Sequence, residues 1–153
     1  MIDPPTITQT NTQPAAVIRL AVPPEDLPKV MKPGINEVRA TVEAQGIKPA
    51  GPWFSHYQKM EPRRWEFEIG LPVKTPIAPA GRVTPGELPA RKVARAIHHG
   101  GYEGLHESWG EFSNWIKSQG LTPDADLWEC YVVGPDSGPD ATKWRTELNR
   151  PVR

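Results

Sequence analysis

The chain has a single cysteine, Cys130, so no disulfide can form within it, which fits a reducing compartment and points to the cytoplasm. It has no apolar run approaching the ~18 residues that a membrane-spanning helix needs. Residues 1–13 are polar and rich in Pro and Thr, without the basic start and apolar stretch of a secretory signal. Charge of one sign is also missing, since Lys+Arg and Asp+Glu are 18 each. Binding nucleic acid by counterion release calls for a basic excess or stripe. Arg63-Arg64 and Arg91-Lys92 are only pairs, which a solvated face explains, so direct nucleic-acid binding is not expected.

Catalytic and cofactor motifs are absent as well. There is no Gly-x-Ser-x-Gly, no P-loop and no Rossmann fingerprint, and no cofactor is expected. His98 and His99 point in opposite directions on a strand, and His106 lies beyond a Gly-Gly turn. His56 and Cys130 have no partner at ligand spacing, so no metal site is expected. What the chain does have is proline and tryptophan. Nineteen prolines suggest many turns and element boundaries rather than long helices. Six tryptophans, against three each of Tyr and Phe, bring large apolar faces with one donor apiece, suited to cores and to ligand sites.

Self-comparison reveals a duplication. Gly46-Ile47-Lys48-Pro49 is echoed 74 residues later by Gly120-Leu121-Thr122-Pro123. The same offset sets Trp53 to Tyr57 against Leu127 to Tyr131, and Val38, Val42 and Gln45 against Phe112, Ile116 and Gln119. Farther on, Trp65-Glu66-Phe67-Glu68 matches Trp144-Arg145-Thr146-Glu147, and Pro72-Val73 matches Pro151-Val152, at an offset of 79. Each copy has the grammar β-α-β-β. The expected strands are 15–22 and 92–98, and the hairpins are 53–60 with 64–71 and 127–133 with 143–148. Leu105, Trp109, Phe112, Trp115 and Ile116 mark a helical face closed by Gly120; Ile35, Val38 and Val42 mark another closed by Gly46. A further strand is expected near 82–84. The fold class is therefore α+β, a single domain 1–153 with repeat one at about 5–74, a linker at about 75–81 and repeat two at about 82–153. An antiparallel sheet with both helices on one side would leave a central ligand cleft between the repeats.

Strand alternation assigns faces. Trp128, Cys130 and Val132 form an apolar set that we assign to the helix. Glu129, Tyr131, Arg145 and Glu147 would then meet on the cleft side, and Ser55 and Tyr57 would meet Glu66 and Glu68 in the first hairpin. A carboxylate among aromatic rings in a partly dry cleft seeks a cation or takes up a proton. An organic cation would satisfy it while stacking on the rings, each good contact contributing about 0.5–2 kcal/mol. Blander readings stand beside this one. Glu129 could pair with Arg145 across the hairpin, Glu147 and Glu68 could both face solvent, Trp109 and Trp115 could be core, and Trp65 and Trp144 could be scaffold.

The passage His98-His99-Gly100-Gly101-Tyr102-Glu103-Gly104-Leu105, followed by Trp109 and Trp115, resembles the H-x-G-x-Y-x-x-L strand-to-helix passage of GyrI-like domains. These are also called bacterial transcription activator effector-binding domains. The stretches 127–131, 144–148 and Pro151-Val152 are similar to that family's closing strands, as is 46–57 in the first half; the resemblance covers roughly 5–153. It implies a duplicated SHS2-like fold whose cleft binds amphipathic, often cationic molecules. The family's acidic residues in the closing strands match Glu129 and Glu147, and the candidate cleft aromatics are Trp53, Tyr57, Tyr102, Trp109 and Tyr131. Regulators of the family usually carry an N-terminal helix-turn-helix, for which this chain has no room, so a stand-alone effector-binding or multidrug-binding protein is the leading expectation. Two others stand behind it. One is a hydrolase of reactive cyclopropane-type compounds, with Glu129 or Glu147 as general base. The other is a module that binds a protein partner through its surface.

Overall fold

A computed structural model describes residues 1–153. It contains eight strands, all in antiparallel pairings, and two long helices. Contacts divide the chain into two units, Asn11–Ala90 and Met1–Thr10 together with Arg91–Arg153. No helix is long and apolar enough to cross a membrane.

The unit 11–90 holds β2 (Gln13–Val22), α1 (Leu27–Ala44), β3 (Phe54–Met60), β4 (Trp65–Pro72) and β5 (Val83–Leu88), with strand order β3-β4-β2-β5. The strand expected near 82–84 is β5, and it pairs with β2. Helix α1 is longer than the proline content suggests. Pro28 sits in its first turn, where N–H groups have no helical partner anyway, and Pro33 deletes only one bond inside an 18-residue helix. Gly34, Ile35, Val38 and Val42 are its buried face. A Cβ on Gly34 would come within 2.6 Å of Ile69 Cδ1, so this glycine sets how closely α1 lies on β4.

The other unit holds β1 (Thr6–Gln9), β6 (Lys92–His99), α2 (Leu105–Ser118), β7 (Leu127–Val133) and β8 (Arg145–Pro151), with strand order β1-β6-β8-β7. Strand β1 was not foreseen. Its burial is slight, because an edge strand pairing only with β6 needs no apolar alternation. Phe112 and Ile116 of α2 pack on Ala94, Ala96, Leu148 and Val152, with Leu105, Trp109 and Trp115 around them. This is the helical face read from the sequence.

The duplication repeats even in local irregularities. A bulge interrupts β3/β4 after Tyr57 and another interrupts β7/β8 after Tyr131. Pro49 bridges to Val73, and Pro123 to Val152. Gly46 and Gly120 both end their helices at positive φ, 67° and 72°. In each, the following N–H reaches back to a last-turn carbonyl, from Ile47 to Val42 and from Leu121 to Ile116.

Candidate functional site

Register decides which side chains share a face, and it overturns the assignment made from alternation. Glu129 stands opposite Leu148, and Tyr131 opposite Thr146. Leu148 belongs to the core beneath α2, so Glu129 and Tyr131 point toward that helix. Glu147 stands opposite Cys130, on the reverse face, where it meets Arg95 at 3.4 Å and accepts a hydrogen bond from Asn149 at 3.1 Å. Glu129 and Glu147 therefore do not form one cluster. Trp128 and Cys130 lie on the reverse face too, and Val132, at the bulge, is exposed. The same correction applies to the first hairpin. Ser55 stands opposite Ile69 and Tyr57 opposite Phe67, while Glu68 stands opposite His56 and pairs with Arg19 at 2.9 Å. Alternation misled because both faces of the strands are buried, so apolar character does not mark the helix side.

On the α2 side the structure assembles a site around Glu129. Its carboxyl is buried and accepts two hydrogen bonds, from Trp109 Nε1 at 2.6 Å and from the Tyr131 hydroxyl at 2.8 Å. Both donors are neutral. Arg145 takes no part, since its guanidinium donates to the carbonyls of Thr142 and Trp144. Burial raises the Glu129 pKa above the ordinary carboxylate range, and the two hydrogen bonds oppose that rise. The acid is held in an aromatic wall without a counterion.

Tyr102 completes the wall. Its ring meets Tyr131 edge-on at 5.7 Å and lies tilted against Trp144 at 5.4 Å. Burial raises its phenol pKa, and the negative charges of Asp136 and Glu129 add to the effect. Gly134 makes room for this phenol, because a Cβ there would come within 2.8 Å of its hydroxyl. The Trp144 indole donates to the Gly138 carbonyl at 3.1 Å, tying the site to the 134–143 turn.

A second group of residues holds the wall in place. His98 is buried, with Nε2 at 2.8 Å from the Gly101 carbonyl and Nδ1 at 2.6 Å from Ser108 Oγ. A carbonyl can only accept, so Nε2 carries the hydrogen and the Ser108 hydroxyl donates to Nδ1. This latch fixes the residue before Tyr102 and the residue before Trp109. Sequence reading placed His98 only by its strand direction and missed Ser108, the latch it forms and the charge of Asp136 near Tyr102. A Ser inside an amphipathic helix carries no signal until the register is known.

Trp53 and Tyr57 lie in the other unit. Trp53 is half-buried before β3, and Tyr57 packs on Trp65 and Phe67, both at 5.5 Å. Ser55, the repeat equivalent of Glu129, lies 3.9 Å from Met31 Sδ of α1, so this acid is particular to the second repeat. A groove of about 590 Å³ opens in the same unit, with Ala15, Arg19, Glu68, Gly86 and Glu87 among its lining. Its buried acid, Glu68, differs from Glu129 in having an arginine partner.

The profile of the GyrI-like small molecule binding domain matches residues 3–153, and the chain belongs to that family. Solved structures agree on the fold. The EcmrR C-terminal domain superposes with a TM-score of 0.84 at 20% identity, covering 98% of this chain and 97% of that one. SAV2435, solved bound to tetraphenylphosphonium, gives 0.74 at 14% identity over 99% and 94% of the two chains. A hydrolase from Listeria innocua gives 0.68 at 12% identity over 97% and 91%. No curated protein matches the chain.

Proposed function

We propose that the domain binds amphipathic organic cations carrying aromatic groups, with Glu129 as counterion and Trp109, Tyr131, Tyr102 and Trp144 as ring surfaces. The observation that carries this reading is the Glu129 carboxyl, buried and bonded only to two neutral donors. Burial disfavours the charged form of such a group, and a cation beside it favours that form again. Rings beside the carboxyl add cation–π attraction of about 0.5–2 kcal/mol per contact. Tetraphenylphosphonium, the ligand of SAV2435, has this chemistry, although that protein shares only the fold at 14% identity. The test is a titration with a fluorescent organic cation and a neutral analogue of the same shape, following dye signal and tryptophan quenching. Preference for the cation, lost in Glu129→Gln while folding is intact, supports the reading. Equal binding of both dyes, or unchanged affinity in the variant, contradicts it.

The raised Glu129 pKa also suits a proton-transfer role, in which this carboxyl would act as general base on water in a hydrolysis. Turnover of a strained alkylating substrate, abolished in Glu129→Gln, would establish that second reading; binding without turnover would leave the first.

A further inference from the structure

Thr146 carries a polar atom for which the fold supplies no partner. Its side chain is fully buried, and Oγ1 makes no hydrogen bond. Buried polar atoms are normally paired, and valine would fill the same space without the penalty. The register shows where this hydroxyl lies. Thr146 stands between His98 on β6 and Tyr131 on β7, so these three side chains form one row on the α2 side. The next row is Ala96, Leu148 and Glu129. Neither neighbour in its own row bonds to Thr146 Oγ1. Both nitrogens of His98 are engaged by Ser108 and Gly101, and the Tyr131 hydroxyl donates to Glu129. Thr146 is thus the diagonal neighbour of Glu129 across the β7/β8 pair, a spacing of about 7–8 Å between backbones.

We propose that Glu129 and Thr146 Oγ1 form a two-point acceptor for an organic cation that bears N–H groups, such as a primary ammonium or an amidinium. One N–H is donated to the Glu129 carboxylate and a second to the Thr146 hydroxyl oxygen. This rests on the reading of Glu129 as counterion and narrows it. A fully substituted cation has no N–H to donate and can use only the carboxylate and the rings. The pairing also accounts for a threonine at a place where valine would pack equally well.

The experiment compares biphenylmethylammonium with its N,N,N-trimethyl analogue by calorimetry, on the full chain and on Thr146→Val, Thr146→Ser and Glu129→Gln. Thr146→Val is expected to weaken the primary ammonium about fivefold, the worth of one hydrogen bond, and to leave the trimethyl compound unchanged. Thr146→Ser, which keeps the hydroxyl, is expected to retain the wild-type ratio of the two affinities. Thermal melting of Thr146→Val at or above the wild-type temperature shows that the fold is intact. If Thr146→Val leaves that ratio unchanged, or weakens both compounds equally, the two-point acceptor is overturned while the counterion reading stands. If neither compound binds, or Glu129→Gln binds both as well as wild type, both readings fall together.

Discussion

Glu129 has exchanged water for the Trp109 indole and the Tyr131 hydroxyl, and that exchange governs how the residue responds to pH. Burial raises its pKa above the ordinary 4.5, so the folded chain holds this proton to a higher pH than the unfolded chain does. Stability linked to Glu129 is therefore fully present below the ordinary value and is lost as pH rises through the raised one. Glutamine cannot titrate, and it can accept from Trp109 while donating to the Tyr131 hydroxyl. The stability of Glu129→Gln relative to wild type is thus expected to rise with pH above 4.5 and then level off, read from urea midpoints over a pH series. Parallel profiles would show that Glu129 is not desolvated. Tyr131→Phe removes one of the two donors, and a loss of about 1 kcal/mol is expected from the same midpoints. A larger loss would point to a packing role for the hydroxyl.

At the scale of elements, the latch between His98, Ser108 and Gly101 links β6 to the start of α2 and so positions Tyr102 and Trp109. Ser108→Ala should weaken ligand binding and, by leaving the buried His98 Nδ1 without its partner, cost about 1–3 kcal/mol of stability. Unaltered affinity would show that α2 is held by the Phe112 and Ile116 contacts alone. Phe112→Ala, by contrast, should cost about 3–5 kcal/mol of stability as a core truncation, measured by chemical denaturation. Gly120→Ala places a side chain at φ 72° and should cost about 1–2 kcal/mol by the same measurement. The elements themselves were legible in the sequence because the repeat supplied each of them twice. Gly46 and Gly120 marked both helix ends, and β7 has the bounds expected for it. The faces were not legible. A strand buried on one side reveals its inward phase by alternation, but Leu127 to Tyr131 are buried throughout, and only pairing with β8 shows that Glu129 goes with Leu148 and not with Glu147. The edge strand β1 escaped for the opposite reason, having almost no buried residue to signal it.

At the scale of the whole molecule, two units share a grammar and differ in where they place charge. The unit 11–90 has Ser55 where the other has Glu129, and its own buried acid, Glu68, is neutralised by Arg19. The second unit likewise pairs Glu147 with Arg95 on its reverse face, which leaves Glu129 as the buried acid without a cation. Duplication supplied the scaffold twice, and divergence of single positions within it produced the candidate site. That carboxyl was recognisable from the sequence as an acid among aromatics, and its resemblance to the family's closing strands pointed the same way. Trp109 and Tyr131 were already among the candidate aromatics, but that both donate to this carboxyl, and that it stands opposite Leu148 beneath α2, required the fold.

The central claim is that Glu129, buried against two neutral donors, is the counterion of a bound organic cation, which favours its ionised form. Calorimetric titration of one aromatic cation, repeated in buffers of different ionisation enthalpy, measures protons released on binding. The account predicts proton release, an affinity that rises with pH until the free protein has itself lost the proton, and neither effect in Glu129→Gln. Binding without proton release, independent of pH and unaltered in Glu129→Gln, would contradict it.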